Sequence, residues 1–361
     1  MKYIISFFIC IQTLICCQAS AQHGKDIRIN HPDIKIIGRV SQQDTLVVLY
    51  WSGTQVKVNF RGTSISAVLK DQRGTNFYNI LIDGKLSQIL QPDTTKKEYV
   101  LASGLKEGNH KLEIFKRTEW DRGYTYIYGF KIDSLAQILP KDAQAKLKIE
   151  YFGNSITAGY AIDDTSGKDR QEGIFTNHYE TYAAITARHF KAEHHCTCKS
   201  GIGVMISWFP LTMPQMYDRT NPENPEDTWD FSKFTPDIVV INLLQNDSWL
   251  VNKPEYQTFK TTFGNKPPSE EYIIKAYHNF VKNVRARYPH AHIICMLGNM
   301  DITRKGSLWP GYVEKAVQSM HDKRVYTLFI PFKGTPIHPL RKDNQVMADQ
   351  LIRFIETNIL K

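Results

Sequence analysis

The first half of the chain shows the two-residue alternation of apolar and polar side chains that is typical of half-buried β-strands. Residues 56–60, for example, read Val, Lys, Val, Asn and Phe. Glycine-containing turn sequences such as Ser52-Gly53 separate these runs. We expect strands at residues 35–42, 45–51, 55–60, 64–69, 77–82, 98–101, 110–116 and 124–132. Many short strands without an intervening helical pattern predict a β-sandwich.

From residue 147 onward the pattern changes to alternating strands and helices. Residues 238–241 form a continuous apolar run, which is typical of a strand that is buried on both faces. We expect strands at 147–152, 237–244, 292–297 and 325–330, and helices at 178–190, 269–288, 312–321 and 343–358. This alternation predicts an α/β region, a parallel sheet with helices on both faces. Residues 134–146 are expected to join the two halves as a linker or a short helix.

The composition of the 361 residues is that of an ordinary globular protein, and the length suggests two domains. The formal net charge is +9, but the lysines and arginines are spread along the chain rather than clustered. Proteins that bind nucleic acid concentrate their charge in a patch or run, so we do not expect a nucleic acid as partner. No apolar run of 18 residues follows the N-terminal segment, which argues against an internal membrane span.

Residues 1–21 have the pattern of a secretory signal peptide. Lys2 precedes an apolar stretch, and the small residues Ala, Ser and Ala at 19–21 form a cleavage pattern. We therefore expect a secreted or periplasmic protein. Lipid attachment at Cys16 or Cys17 is an alternative that the surrounding sequence fits poorly.

Three cysteines remain after cleavage, namely Cys196, Cys198 and Cys295, so at most one disulfide can form. His194 and His195 precede the first two of these cysteines. The spacing of this group does not match a zinc motif, so we expect no metal and interpret residues 194–198 as a buried strand.

Three polar residues follow predicted strands, at the edge where parallel sheets bind their ligands. Ser155 lies just after the strand at 147–152, where a tight turn presents its hydroxyl at the sheet edge; the alternative is a helix-capping serine without chemistry. Asn246 follows the strand at 237–244, where its amide can face an oxyanion or only close a polar turn. His338 precedes the last helix, where a general base can be held by loop residues.

The order of these motifs resembles that of the SGNH (GDSL-type) hydrolases, and more narrowly that of carbohydrate esterase family two. The sequences that carry the resemblance are Tyr50-Trp51-Ser52-Gly53-Thr54, Asn59-Phe60-Arg61-Gly62-Thr63, Ile82-Asp83-Gly84, Gly153-Asn154-Ser155-Ile156-Thr157, Ser200-Gly201-Ile202-Gly203, Gln245-Asn246-Asp247 and His338. The resemblance implies a jelly-roll β-sandwich domain at residues 22–140. It also implies a flavodoxin-like SGNH hydrolase domain at residues 141–361.

Position by position, the resemblance implies that Ser155 is the nucleophile and His338 the base. The oxyanion hole would consist of the backbone N–H groups of Ser155 and Gly203 and the side chain of Asn246, with Gly201 as the alternative glycine. Chemistry of this type needs no metal or organic cofactor.

The sequence departs from the family pattern at three places. The usual Asp of the nucleophile block is Asn154, from which we expect a structural effect, and Leu244-Gln245 replaces the usual glycine before Asn246. Most important, residues 332–337 hold no carboxylate ahead of His338. Some members of the family are thought to use a Ser–His dyad, so we expect one here, with a backbone carbonyl accepting a hydrogen bond from the imidazole Nδ1.

The resemblance and the export signal together favour O-acetyl groups on xylan, mannan or oligosaccharides as substrates. Trp249, Trp208 and Trp309 lie near the motif loops, where an indole can stack on a sugar face or serve only the core. One alternative is a lipase-like or thioesterase-like enzyme for other acyl groups. Another is a glycan-binding protein whose esterase site has decayed.

Overall fold

The computed structural model describes residues 24–360, and its N-terminal part consists of two antiparallel sheets. The strands are β1 (Lys25–Arg28), β2 (Ile34–Ile37), β3 (Val40–Gln42), β4 (Val47–Leu49), β5 (Gln55–Gly62), β6 (Ile65–Asp71), β7 (Tyr78–Ile82), β8 (Lys85–Leu90), β9 (Lys97–Ala102), β10 (Gly108–Lys116), β11 (Thr125–Ile132) and β12 (Gln137–Ile138). One sheet has the order β3-β4-β11-β6-β9 with β1 on β11, and the other has the order β12-β5-β10-β7-β8 with β2 on β5.

The alternating pattern sets the two faces of each sheet. In β5, Val56, Val58 and Phe60 are buried in the core between the sheets, whereas Lys57 and Asn59 are partly exposed. The predicted β-sandwich is therefore confirmed. Residues 137–138 pair with β5, so the connection extends the sandwich instead of forming the short helix that was one of the two expectations.

The C-terminal part is a five-stranded parallel sheet with the order β14-β13-β15-β16-β17. Its elements are β13 (Lys148–Gly153), α1 (Ser155–Ala158), α2 (Tyr182–His189), β14 (Glu193–Cys198), α3 (Met213–Met216), β15 (Ile238–Asn242), α4 (Gln245–Leu250), α5 (Gln257–Phe263), α6 (Glu270–Arg287), β16 (His292–Leu297), α7 (Trp309–Gln318), β17 (Val325–Phe329) and α8 (Arg341–Asn358). Apolar residues of α6 and α7 cover one face, and those of α2 and α8 cover the other. The predicted parallel α/β sheet is confirmed.

Two element boundaries differ from the sequence pattern in ways that matter for the site. The strand expected at 237–244 ends at Asn242, because Leu244 adopts a left-handed φ of +73° and α4 begins at the next residue. Asn246 therefore lies in the first turn of a helix and not in a polar turn. The helix expected from residue 178 begins at Tyr182, after a short 3₁₀ turn at His178–Glu180.

The β-sandwich packs firmly against the α/β part. Val48 and Trp51 share one apolar core with Phe152 of β13, and the Trp51 indole donates a hydrogen bond to the carbonyl of Thr220. Arg39, which is fully buried, forms an ion pair with the buried carboxylate of Glu150, 3.1 Å away. The two parts therefore share a continuous interior at this contact.

No helix among residues 24–360 is long and apolar enough to cross a membrane. The predicted signal peptide, including Cys16 and Cys17, lies outside these described residues. Cys196, Cys198 and Cys295 are free and buried. Residues 194–198 belong to β14, as expected.

Candidate active site

Ser155 and His338 meet at the carboxyl edge of the parallel sheet. The Ser155 hydroxyl donates a hydrogen bond to His338 Nε2 over 2.9 Å, across 183 residues of sequence. Ser155 is the first residue of α1, directly after β13, and the side chain of Asn154 caps this helix by accepting from the Ile156 N–H. Asn154 is thus a helix-capping residue, and the effect of the replaced Asp stays a prediction.

Close packing explains the glycine ahead of the serine. A Cβ at Gly153 would lie 2.0 Å from Thr157 Oγ1, so only glycine allows the chain to turn this tightly from β13 into α1. The Thr157 hydroxyl hydrogen-bonds Tyr182 of α2, which fixes the turn against the core. The turn therefore aims Ser155 at the sheet edge.

A carboxylate orients the imidazole, and this corrects the expectation of a backbone carbonyl. His338 Nδ1 donates to Asp169 Oδ2 over 2.8 Å, and the His338 backbone N–H donates to Asp169 Oδ1 over 3.0 Å. The expected Ser–His dyad held by a backbone carbonyl is therefore wrong. Residues 332–337 hold no carboxylate, but Asp169, which is distant in the sequence, accepts the hydrogen bond from Nδ1. Partial burial opposes ionisation of Asp169, but the hydrogen bond and charge of His338 outweigh burial and lower its pKa.

Asp169 lies in a loop of residues 163–172, which we name the Asp169 loop. Asp164, itself buried, accepts three hydrogen bonds from the backbone and guanidinium of Arg170. Tyr160 donates to the carbonyl oxygen of Asp169, and its ring lies 4.8 Å from that of His338. Sequence reasoning missed Asp169 and Tyr160 because residues 160–172 have no periodicity and lie far from His338 in the chain.

The Asn246 amide has a defined orientation. Its Oδ1 accepts from the indole N–H of Trp208 over 3.0 Å, and its Nδ2 donates to the carbonyl of Ile202 over 2.8 Å. Because an indole N–H can only donate, this contact assigns the oxygen end of the amide to Trp208. One of the two Nδ2 hydrogens is left for another acceptor.

The two candidate glycines differ in what their N–H groups do. The Gly203 N–H donates to Ser207 Oγ over 2.9 Å, so the donor that the prediction assigned to an oxyanion is already engaged. Gly201, the alternative, has φ +82°, and no acceptor among the described residues meets its N–H. The role of Gly203 stays a prediction, and the hydrogen bonding favours Gly201.

Asp247 explains why a glycine stands at 203. Its buried carboxylate accepts from the backbone N–H groups of Val204, Met205 and Ile206, and a Cβ at Gly203 would lie 2.5 Å from Asp247 Oδ2. Burial raises the pKa of Asp247 to about 6 despite these three hydrogen bonds. Asp247 therefore ties α4 to residues 199–206, which we name the oxyanion loop.

The three tryptophans occupy two places. Trp208, which holds Asn246, is 37% exposed and packs edge-on against Tyr256. Trp249 donates to both carboxylate oxygens of Asp301, and it lines a groove of about 430 Å³ together with Trp309. Only Trp208 is thereby shown in contact with a candidate site residue.

His194 and His195 lie away from this edge. His194 Nε2 is 3.3 Å from His178 Nε2, and His195 Nε2 accepts the Gly38 N–H. Within residues 24–360, no group of three or more His, Cys, Asp or Glu side chains is arranged to hold a metal.

A five-stranded parallel sheet behind an antiparallel sandwich, with a Ser–His hydrogen bond at its carboxyl edge, is the architecture of a two-domain SGNH hydrolase. The family model of the carbohydrate esterase 2 N-terminal domain matches residues 36–141. A family two carbohydrate esterase from Clostridium thermocellum, solved in complex with cellohexaose, is 32% identical; the match covers 90% of this chain and 98% of that one, with a TM-score of 0.80. The chain belongs to carbohydrate esterase family 2, a family of carboxylic ester hydrolases.

Two curated relatives give further similarity. The cellulase/esterase CelE of Acetivibrio thermocellus is 33% identical over 320 residues, which make up 86% of this chain and 37% of CelE. The chain thus spans little more than a third of that relative's length. The acetylxylan esterase / glucomannan deacetylase of Cellvibrio japonicus is 23% identical over 334 residues, or 90% of this chain and 88% of that protein.

Proposed function

We propose that the protein is an exported serine esterase that removes O-acetyl groups from plant-type polysaccharides or oligosaccharides such as xylan and mannan. The observation that carries this proposal is the hydrogen-bonded series from Ser155 Oγ through His338 to Asp169. Such a series is the arrangement that activates a serine hydroxyl. Export rests on the signal-peptide pattern of residues 1–21.

In the first half of the reaction, Ser155 Oγ attacks the acetyl carbonyl carbon while His338 Nε2 takes the hydroxyl proton. Asp169 accepts from Nδ1–H, which leaves Nε2 free to receive that proton and stabilises the imidazolium that forms. The tetrahedral intermediate then collapses. The ester C–O bond breaks, and the sugar alcohol leaves with the proton from His338.

In the second half, water attacks the acetyl group on Ser155 and His338 takes one of its protons. The acyl C–O bond to Ser155 breaks, the imidazolium returns the proton to Oγ, and acetic acid leaves and loses its proton to the solvent as acetate. This sequence regenerates the enzyme without a redox step.

Three donors surround the place where the oxyanion forms in this proposal. They are the backbone N–H groups of Ser155 and Gly201 and the free hydrogen of Asn246 Nδ2. One such donor contributes about 10²–10³ in rate in other enzymes. Trp208 supports the third donor because it fixes the orientation of the amide.

The substrate class rests on the tryptophans and on the relatives. Trp208 offers an exposed indole beside Asn246, and Trp249 and Trp309 line a groove that a sugar chain can follow. The names of the relatives, an acetylxylan esterase / glucomannan deacetylase and a cellohexaose-bound esterase, agree with a glycan ester as substrate.

The test is acetate release by the chain from residue 22 onward, with acetylated xylan, acetylated glucomannan and 4-nitrophenyl acetate as substrates. Ser155→Ala should abolish release from all three, and a chelator should leave the wild type unaffected. A series of longer 4-nitrophenyl esters separates the lipase-like alternative, because the proposed enzyme should prefer acetate. No acetate from any substrate in a folded sample would overturn the proposal.

A further inference from the structure

The connection between β10 and β11 leaves the sandwich and lies against the α/β part next to the candidate active site. We name residues 116–122, which are the last residue of β10 and the start of this connection, the bracing segment. Glu119 in this segment is buried, and its carboxylate accepts from both the hydroxyl and the backbone N–H of Ser200. The hydroxyl contact measures 2.6 Å. Ser200 directly precedes Gly201, so Glu119 holds the residue next to the proposed oxyanion donor.

A second contact holds Lys199, the residue before Ser200 in the oxyanion loop. Lys199 Nζ lies 2.6 Å from Asp121 of the bracing segment. The backbone N–H of Trp208 donates to the carbonyl of Gly201, and the indole N–H of the same residue donates to Asn246 Oδ1. The position of the Gly201 N–H is therefore determined by the bracing segment on one side and by Trp208 on the other.

The same segment also holds the Asp169 loop. Arg117, which is 2% exposed, donates to the carboxylate of Asp163 over 2.9 Å. The guanidinium of Arg122 donates to the carbonyl of Gln171. Asp169 lies between these two attachment points, so both sides of the loop that orients His338 are attached to the sandwich.

A buried lysine fixes the backbone of the bracing segment itself. Lys116 Nζ is fully buried and donates to Asn76 Oδ1 and to the carbonyl oxygens of Thr118 and Glu119, at 2.6, 2.9 and 3.3 Å. An ammonium group in such a place needs these acceptors, and they in turn cannot move without leaving it unpaired. These hydrogen bonds tie the backbone of residues 118 and 119 to the buried side chain of Lys116.

We propose that the bracing segment is a positioning element of the active site, in which Glu119 holds the Gly201 N–H at the oxyanion position while Arg117 and Arg122 hold Asp169 against His338. The proposal rests on the proposed function for its catalytic consequences. It assigns the β-sandwich a role in the chemistry, although no sandwich residue is one of the proposed reacting groups.

The clearest prediction concerns Glu119→Gln. The variant keeps the side-chain volume, but it presents an NH₂ group to one of the two Ser200 donors and so displaces Ser200 and Gly201. A displaced N–H donor stabilises the oxyanion of the transition state less well. A displacement of about 1 Å can lower the rate by about 10². We expect kcat for 4-nitrophenyl acetate to fall by about 10–10² while KM changes little.

Glu193→Gln is the matched control. Glu193 begins β14, whereas Ser200 follows its end, and the Glu193 carboxylate likewise bridges the two parts through Lys35 at 2.6 Å. The same substitution therefore perturbs the same interface at the opposite end of one strand. We expect this control to keep the wild-type kcat.

Hydrogen exchange gives a readout that does not depend on activity. Peptides from the oxyanion loop should exchange faster in Glu119→Gln than in the wild type and should be unchanged in Glu193→Gln. Peptides from the Asp169 loop should exchange faster in Arg122→Ala, a substitution at a half-buried side chain of the bracing segment that should fold normally.

Ser200→Ala keeps the proposal testable if Glu119→Gln does not fold. It removes one of the two hydrogen bonds to Glu119, so we expect a smaller loss of kcat, and the double variant should be no worse than Glu119→Gln alone because both act through one contact. Unchanged exchange in the oxyanion loop, wild-type kcat in Glu119→Gln, or equal losses in Glu119→Gln and Glu193→Gln would overturn the proposal. If the wild type released no acetate while the exchange pattern followed the prediction, the proposed function would fail and the bracing role would stand.

Discussion

At the residue scale, the orientation of His338 depends on a backbone conformation that is unfavourable in isolation. Asp169 has φ +52°, in the left-handed region that residues other than glycine seldom adopt. Tyr160 and Asp164 hold the loop in this conformation by hydrogen bonds to Asp169 and Arg170. Local strain of this kind persists where surrounding contacts over-determine it, which is common at functional sites. No pattern in the sequence of residues 163–172 predicts it.

Asp169→Asn should lower kcat by about 10²–10⁴, because an amide at this place no longer enforces the tautomer that leaves Nε2 free. The measurement is the kcat for 4-nitrophenyl acetate. Asp349→Asn, an exposed position on α8, is the control and should retain full activity. Wild-type kcat in Asp169→Asn would show that the carboxylate does not orient the base.

At the element scale, residues 194–198 were interpreted as a buried strand from the spacing of their histidines and cysteines, and the apolar pattern predicted the other four strands of the parallel sheet. It failed for α4, whose first residues Gln245, Asn246 and Asp247 resemble a turn. This helix depends on tertiary contacts, above all the bonds from the oxyanion loop to Asp247. The apolar pattern also missed the edge strand β8, because most of its side chains are exposed and give no buried face to recognise. The pairing of Ser155 with His338 could be predicted from their order at strand ends, whereas Asp169 could not, and the oxyanion role of Asn246 stays a prediction.

Gly203→Ala tests the packing of the oxyanion loop against α4. The new Cβ would lie 2.0 Å from the Ile206 carbonyl oxygen and 2.5 Å from Asp247 Oδ2, so the loop must shift. We expect a loss of roughly 1–3 kcal/mol in the free energy of unfolding, measured by urea denaturation, together with a lower kcat. Gly311→Ala in α7 is the matched control, because nothing lies within 4 Å of its Cβ and alanine favours a helix. Equal stability of the two variants would contradict this account.

At the scale of the whole molecule, buried histidines line the contact between the sandwich and the α/β part. A Cβ at Gly53 of the sandwich would lie 2.6 Å from the His178 ring and 3.0 Å from His194 Nε2, and the two histidines are themselves 3.3 Å apart at their Nε2 atoms. Burial lowers the pKa of His178 to about 4, and burial also lowers the pKa of His194 well below its usual range. Both imidazoles are therefore neutral in the folded protein at neutral pH.

Acid should weaken the fold through these histidines. Between pH about 6.5 and about 4 the unfolded chain binds a proton at His178 that the folded chain does not, so the free energy of unfolding falls as the pH falls through this window. His178 alone contributes about 3 kcal/mol to this loss. Urea denaturation at pH 7 and pH 4.5 measures it.

His178→Asn should reduce the difference between the two pH values, since the amide can still donate to the Thr157 carbonyl but does not titrate. The exposed His290→Asn serves as the control and should leave the difference unchanged. The same pH dependence in wild type and His178→Asn would show that this histidine does not govern acid sensitivity.

The central claim is that Ser155, activated by His338 and Asp169, is the nucleophile of an esterase. The most direct measurement is mass-spectrometric mapping of the residue that a fluorophosphonate modifies in the purified chain. The account predicts one adduct, on the peptide that contains Ser155, and loss of both the adduct and acetate release in Ser155→Ala. An adduct on another residue, or full acetate release by Ser155→Ala, would contradict it.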